Sequence, residues 1–313
     1  MYRRTANGRP YKFYFRFLMN KTIYALGFFD GVHVGHQALL HSCRELADRE
    51  GCKAAVVTFS SHPDTLVLGK TPSLINTIED RVRLLKCFGM DDVIVLPFDR
   101  TLMTTHWSAF LSALLELGAA GFVCGSDFRF GAGGSGTAKK LEAYCRKREL
   151  VCAVVAQQLL DGVRVSSSHI RSLLEAGQME EAARFLGHPH ILTGEVISGR
   201  KLGRTLGIPT ANLALPEEVA KLPYGVYACK AQVEGNTYLA VTNIGNRPTV
   251  GGHRITVEPW LLDFDGDLYG KTLTLQFFRF LRKETKFPSL EALKEEILKN
   301  AGECRKFFEN NAK

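Results

Sequence analysis

Residues Gly27 to His36 read GFFDGVHVGH, and this stretch rich in glycine and histidine constrains the chain more than any other. It follows the short apolar run Thr22 to Leu26 and precedes Leu39, Leu40, Cys43, Leu46 and Ala47, which recur at helical spacing. A strand, a turn and a helix ending near Gly51 are expected in that order. In a parallel α/β sheet such a turn lies at the carboxyl end of its strand. There the next helix directs free N–H groups and a positive dipole end at whatever binds. Phosphate is the natural guest. Gly27, Gly31 and Gly35 let a ligand approach the backbone, while His33 and His36 add two imidazole donors. Two histidines three apart at a helix start are also explained as caps or solvated side chains. The strand–turn–helix setting favours chemistry.

The alternation continues. Lys53 to Phe59 has the pattern of a buried strand and runs into TFSSHP, which carries His62. Thr77 to Asp80 has capping-box spacing ahead of Val82, Leu84, Leu85 and Phe88, with Gly89 as the stop. Asp92 to Leu96 is the next strand, residues from Trp107 to Leu115 give a helical core face, and Gly121 to Gly125 is strand four. That strand enters GSDFRFGAGGSG, residues 125 to 136. Three loops at carboxyl ends thus face one crevice. A helix over Ala138 to Arg148 and a strand over Leu150 to Ala156 come next. Ser166, Ser167 and Ser168 then precede an amphipathic helix, where N-capping is the simplest role for a serine. A last helix, Gln178 to Leu186, ends at Gly187.

From Ile191 the pattern changes to short β-rich runs broken by Gly and Pro: Tyr227 to Val233, Thr237 to Val241, Ile255 to Leu262 and Thr272 to Phe280. An antiparallel barrel or sandwich is expected, with a terminal helix carrying Leu290, Leu293, Ile297 and Leu298 on one face. The run GRKLGR, residues 199 to 204, is weak evidence alone because hairpin loops also favour glycine. Thr210 and Asn212 sharpen it, since a hydroxyl and an amide oxygen close together suit a Mg²⁺ that keeps most of its waters.

These motifs resemble, in order, those of the bacterial bifunctional riboflavin kinase/FAD synthetase family. GFFDGVHVGH, TFSSHP, GSDFRFG and the SSSHIR run ending at Arg171 are similar to its nucleotidyltransferase signatures. GRKLGRTLGIPTANL, NIGNRPT, EPWLLDFDGDLYG and LRKETKF are similar to its riboflavin kinase signatures. The resemblance runs from about Tyr24 to near the end of the chain. It implies a Rossmann-like nucleotidyltransferase domain over residues 19–187 and an antiparallel β-barrel riboflavin kinase domain over 188–313, after a basic extension, 1–18. It implies phosphorylation of riboflavin to FMN and adenylylation of FMN to FAD with ATP, in the presence of Mg²⁺. His33 and His36 are the implied catalytic residues of the second step, and Glu258 is the implied base of the first. Gly27, Phe29, Asp30, Gly31, Gly35, His62, Asp127, Arg129, Ser166, Ser167, Ser168, Arg171, Gly199, Gly203 and Arg204 are implied to hold nucleotide and phosphate. Asn243, Arg282 and Glu284 are implied for flavin, and Thr210 and Asn212 for metal. Two features depart from the pattern: serine replaces threonine at Ser168, and Ala132 and Thr137 stand where a lysine and an acid are expected.

Charge and cysteines bound the remaining readings. Arg3, Arg4, Arg9, Lys12 and Arg16, with no acid among residues 1 to 18, supply more than half of the net charge of +8. The basic signal is therefore a property of the tail, and nucleic acid is not the expected partner. Arg16 interrupts the tail's apolar residues, so it makes a poor signal peptide, and Met19 is an alternative start. The eight cysteines show no C-x-x-C pair, which fits a reducing compartment, and the cytoplasm is expected. No apolar stretch reaches the ~18–20 residues of a membrane span. Two alternatives stay open: an enzyme with one working site, and a flavin- or RNA-binding regulator on the same modules.

Overall fold

The computed structural model describes residues 21–67, 69, 72–197, 207–214, 218–249 and 252–311. The expectations for residues 1–18 and for Gly199, Gly203 and Arg204 lie outside the described residues.

The first strand, β1 (Thr22–Leu26), is buried along its whole length, as an unbroken run needs when helices cover both faces of a sheet. There follow α1 (Val34–Glu50), β2 (Lys53–Phe59), α2 (Pro63–Val67), α3 (Ile78–Cys87), β3 (Asp92–Leu96), α4 (Arg100–Thr104), α5 (Trp107–Glu116) and β4 (Ala119–Gly125). The short strands β5 (Arg129–Phe130) and β6 (Gly136–Thr137) lead to α6 (Ala138–Lys147) and β7 (Val151–Val155). The hairpin of β8 (Leu159–Leu160) and β9 (Val163–Arg164) then leads to α7 (Ser167–Glu175) and α8 (Met179–Leu186). Five strands form one parallel sheet in the order β3-β2-β1-β4-β7. The chain moves outward from β1 to β3 and returns to β4 on the other side, so a crevice opens between the carboxyl ends of β1 and β4. Alternate residues of β1 serve the two faces: Ile23 and Ala25 pack against α1, and Tyr24 and Leu26 pack towards α5 and α6.

The second unit contains β10 (His190–Ile197), β11 (Asn212–Leu213), β12 (Gly225–Val233), β13 (Asn236–Thr249), β14 (Gly252–Leu261) and β15 (Thr272–Lys283). They close into an antiparallel barrel in the order β10-β11-β14-β13-β12-β15. The helix α9 (Leu290–Asn310) lies outside it, with Ala301 and Cys304 against Val226, Ala228, Val241 and Leu262. Of the barrel and sandwich expected, the closed barrel is observed. β13 runs well past Val241, because pairing with β12 to Ile244 and with β14 to Thr249 carries it through a stretch whose own pattern is polar. The pieces α2, α4, β8 and β9 are too short to leave a periodic signal.

The two units share packing. One apolar cluster runs from Ile170, Leu174, Phe185 and Leu186 to Leu192, Tyr227 and Phe277 in the barrel. Beside it, the buried Asp80 of α3 accepts from the Thr193 N–H at 3.0 Å and from the Thr193 hydroxyl at 2.5 Å. Leu74 exchanges backbone hydrogen bonds with Glu218 and Ala220.

Candidate active sites

The turn after β1 is held in a left-handed conformation at Phe29 (φ 60°), Gly31 (φ 78°) and Val32 (φ 40°). At Gly31 a side chain is excluded twice, by that φ and by Ile75, whose Cδ1 lies 2.7 Å from where a Cβ would stand. Asp30 is almost fully buried. One carboxylate oxygen accepts from the Ile75 N–H at 2.9 Å, and the other accepts from Arg171 at 3.0 Å. Burial pushes this carboxyl up from its usual range, while Arg81, the Ile75 N–H and Arg171 pull it back. The Ser167 hydroxyl donates to the Asp30 carbonyl at 3.0 Å, so the start of α7 is tied to the same turn.

His33 is the N-cap of α1, and its Nδ1 accepts from the His36 N–H at 3.2 Å. The capping role and a chemical role are therefore compatible. With Nδ1 accepting, neutral His33 carries its proton on Nε2. The His33 and His36 rings stack at 3.6 Å with 11° between their planes. Burial pulls His33 down to about 4 and His36 well below its usual value, the latter helped by His33. Both are neutral donors at pH 7.

The structure brings Gly27, Phe29, His33, Gly35, His36, Asp127, Ser166 and Ser167 to one cavity of about 250 Å³ over the ends of β1, β4 and β7. Leu26, Phe28, Gly125, Ala156, Gln157 and Arg164 are among its other walls. Asp127 accepts from Gln157 at 2.9 Å and from Arg164 at 2.7 Å. Neither of these two partners belongs to a motif of its own. β7 neighbours β4 at the switch point, so its carboxyl end was the place to look. Ser166 caps α7 through the His169 N–H at 3.3 Å, and Ser168 accepts from Arg171 at 3.1 Å.

Asp30, Gly31, His62, Arg129, Ser168 and Arg171 are not among the cavity's walls. Asp30 and Arg171 stand behind the turn. His62 meets the ring of Phe28 edge-on at 4.7 Å, and Arg129 is exposed on β5. The departures at Ala132 and Thr137 also have a local account: Ala132 donates to the Thr105 carbonyl, and Thr137 caps α6 through the Lys140 N–H.

In the barrel, Leu213 pairs with Val257, and the Ala211 N–H donates to the Pro259 carbonyl at 2.9 Å, which sets Asn212 opposite Glu258. Asn243 is the partner of Glu258 on the other side. Three polar residues, Asn212, Glu258 and Asn243, therefore stand side by side across β11, β14 and β13, while Leu213, Val257 and Ile244 face the core. Pairing continues from Glu258 through Pro259 to Leu261. Glu284 joins the group: a Cβ on Gly245 would lie 2.7 Å from Glu284 Oε1 and 3.2 Å from Asn243 Nδ2. Arg282 instead turns towards α9, donating to Asn300 at 3.0 Å.

Two family models match this chain in succession, FAD synthetase over residues 18–169 and riboflavin kinase over 186–308. The chain belongs to the bifunctional riboflavin kinase/FMN adenylyltransferase family. The Bacillus subtilis (strain 168) member is 35% identical over 93% of this chain and 93% of its own length. The Haemophilus influenzae member is 36% identical over 90% of this chain and 93% of its own. A crystal structure described as a macrolide-efflux protein from Streptococcus pneumoniae has the same fold. It has a TM-score of 0.82 and 28% identity, and covers 91% of this chain and 94% of that one. Among the described residues here, no helix is long and apolar enough to cross a membrane.

Proposed function

We propose that the crevice of the parallel sheet transfers AMP from ATP to FMN, and that the barrel transfers the γ-phosphoryl group of ATP to the ribityl 5′-hydroxyl of riboflavin. The observation that carries the first half is the meeting of His33, His36, Asp127, Ser166 and Ser167 on one cavity at the switch point. In that step an FMN phosphate oxygen attacks the α-phosphorus, one P–O bond forms, and the bond to the leaving pyrophosphate breaks. No covalent intermediate on the enzyme is needed. The Nε2–H of His33, His36 and the Ser166 hydroxyl are fixed donors for charge that grows on the α-phosphoryl oxygens, while Ser167, its proton given to the Asp30 carbonyl, holds the start of α7 in place. Asp127, with Gln157 and Arg164, is suited to the adenosine end. The local packing of Ala132 and Thr137, away from these walls, supports retention of the adenylyl step.

In the barrel, Glu258 accepts the proton of the attacking hydroxyl, with Asn243 and Glu284 placed for flavin. Thr210 and Asn212 offer oxygen donors, and Asn212 stands beside Glu258, so the residues fit Mg²⁺. When bound, Mg²⁺ neutralises charge on the phosphoryl group in transfer. The division into 19–187 and 188–313, a dispensable 1–18 and a cytoplasmic location belong to this reading. The free cysteines among the described residues support the last. The test is chromatography of products from riboflavin, ATP and Mg²⁺. FMN followed by FAD is expected, and a chain that makes neither overturns the proposal.

A further inference from the structure

We infer that Arg81 is a positioning residue for adenylyl transfer, acting through the turn that leads to His33; this rests on the function proposed for that cavity. Arg81, in the first half of α3, has no exposed surface. Its Nη1 donates to the Phe28 carbonyl at 3.2 Å and to the Phe59 carbonyl at 3.0 Å. One guanidinium therefore joins the turn after β1 to the end of β2. Its Nε and Nη2 have no hydrogen-bond partner among the described residues. Burying a cation with part of its donors unmet is unfavourable, and attraction to the buried Asp30 carboxylate offsets only part of that cost.

What Arg81 supplies is rigidity at a strained place. The Phe28 carbonyl also accepts from the Thr58 hydroxyl at 2.8 Å, and Phe29 and Val32 beyond it sit at φ 60° and 40°. Left-handed conformations at non-glycine residues are unfavourable and persist only when the surroundings over-determine them. Two donors on Phe28 and the grip of Asp30 on Ile75 do that here. The guanidinium also lies 4.0 Å over the Phe28 ring, which meets His62 edge-on. Phe28 and Phe29 are walls of the cavity, and the Phe29 ring is 5.1 Å from that of His36. Movement of the Phe28 peptide is therefore transmitted to the imidazoles, although Arg81 is not itself a cavity wall.

The test uses the full chain. Arg81→Met fills the space without the charge, and Thr58→Val removes the other donor to Phe28 at nearly constant volume. Turnover for FAD from supplied FMN and ATP should fall about 10²-fold in Arg81→Met and about tenfold in Thr58→Val, as expected when reacting groups shift by a fraction of an ångström to an ångström. The number of α,β-methylene-ATP sites per chain and the rate of riboflavin phosphorylation should stay at the parent's values. Arg81→Lys, which can still donate to both carbonyls, should recover most of the loss. If Arg81→Met does not fold, Thr58→Val decides, and parental turnover there overturns the inference. So does parental turnover in a folded Arg81→Met chain. A loss matched by equal falls in ATP-analogue sites and kinase rate overturns it too, because that marks a purely structural residue. A parent chain that makes no FAD overturns the reading of the cavity and this inference with it.

Discussion

Asp30 and Arg171, 141 residues apart in sequence, meet at 3.0 Å behind the turn that presents His33. Their side chains are 3% and 17% exposed, so solvent screens the pair little. The pair fixes α7, and with it Ser166 and Ser167, against the first strand's turn. Asp30→Asn keeps the shape and removes the charge. It should lower the free energy of unfolding by about 3 kcal/mol, as when one partner of a buried pair is lost. It should also reduce FAD formation by roughly 10²-fold through misplacement of the serines. Denaturant titration and the FMN-to-FAD assay on the same samples check both numbers.

His33 gives a pH dependence with a definite sign. It titrates near 6.5 when exposed and at about 4 in the folded chain, so between those values the unfolded state binds the extra proton. Its contribution to stability is complete above pH 6.5 and is lost as the pH falls towards 4, a linkage of roughly 3 kcal/mol. His33→Asn keeps an N-cap and lacks that titration. The parent should lose about that much more stability than His33→Asn between pH 6.5 and 4. In an NMR titration its Cε1–H resonance should stay still from pH 8 to 5.5, and a midpoint near 6.5 contradicts the account.

Gly245 separates stability from kinase function. A Cβ there meets Glu284 Oε1 at 2.7 Å, the far end of a flexible side chain that can swing aside. Gly245 is buried, so Gly245→Ala should cost about 1 kcal/mol, kept small because the atoms it meets are the ends of side chains that can move. Because Glu284 and Asn243 must move, the KM for riboflavin should rise while FAD formation from supplied FMN is unaltered. Steady-state assays of both steps check it.

The parallel sheet was legible because β1, β2 and β4 are unbroken apolar runs that end in loops rich in glycine or histidine. The antiparallel character of the second unit was legible from its short runs between Gly and Pro. Contacts made only in three dimensions were not. Asp30 reads as a ligand-binding residue in its motif, and nothing local announces its grip on Ile75, Asn76 and Arg171, which lie far along the chain. Arg282 sits in a motif associated with flavin and is taken up by Asn300 and Glu296 of α9, whose docking no local pattern announces. β13 outlasts its own alternation because its neighbours on both sides keep pairing with it. Gln157 and Arg164 carry no motif of their own and gain meaning only from the position of β7 beside β4.

The central claim is that one chain runs two reactions at two separate sites. The most direct measurement is chromatography of products from two full-length variants with ATP and Mg²⁺ saturating. His33→Ala/His36→Ala should convert riboflavin to FMN at nearly the parental rate and stop there. Glu258→Gln should slow FMN formation roughly 10²–10⁴-fold, the scale of losing a general base, and should still convert supplied FMN to FAD. Near-normal kinase turnover in Glu258→Gln, or parallel loss of both activities in either folded variant, would contradict the account.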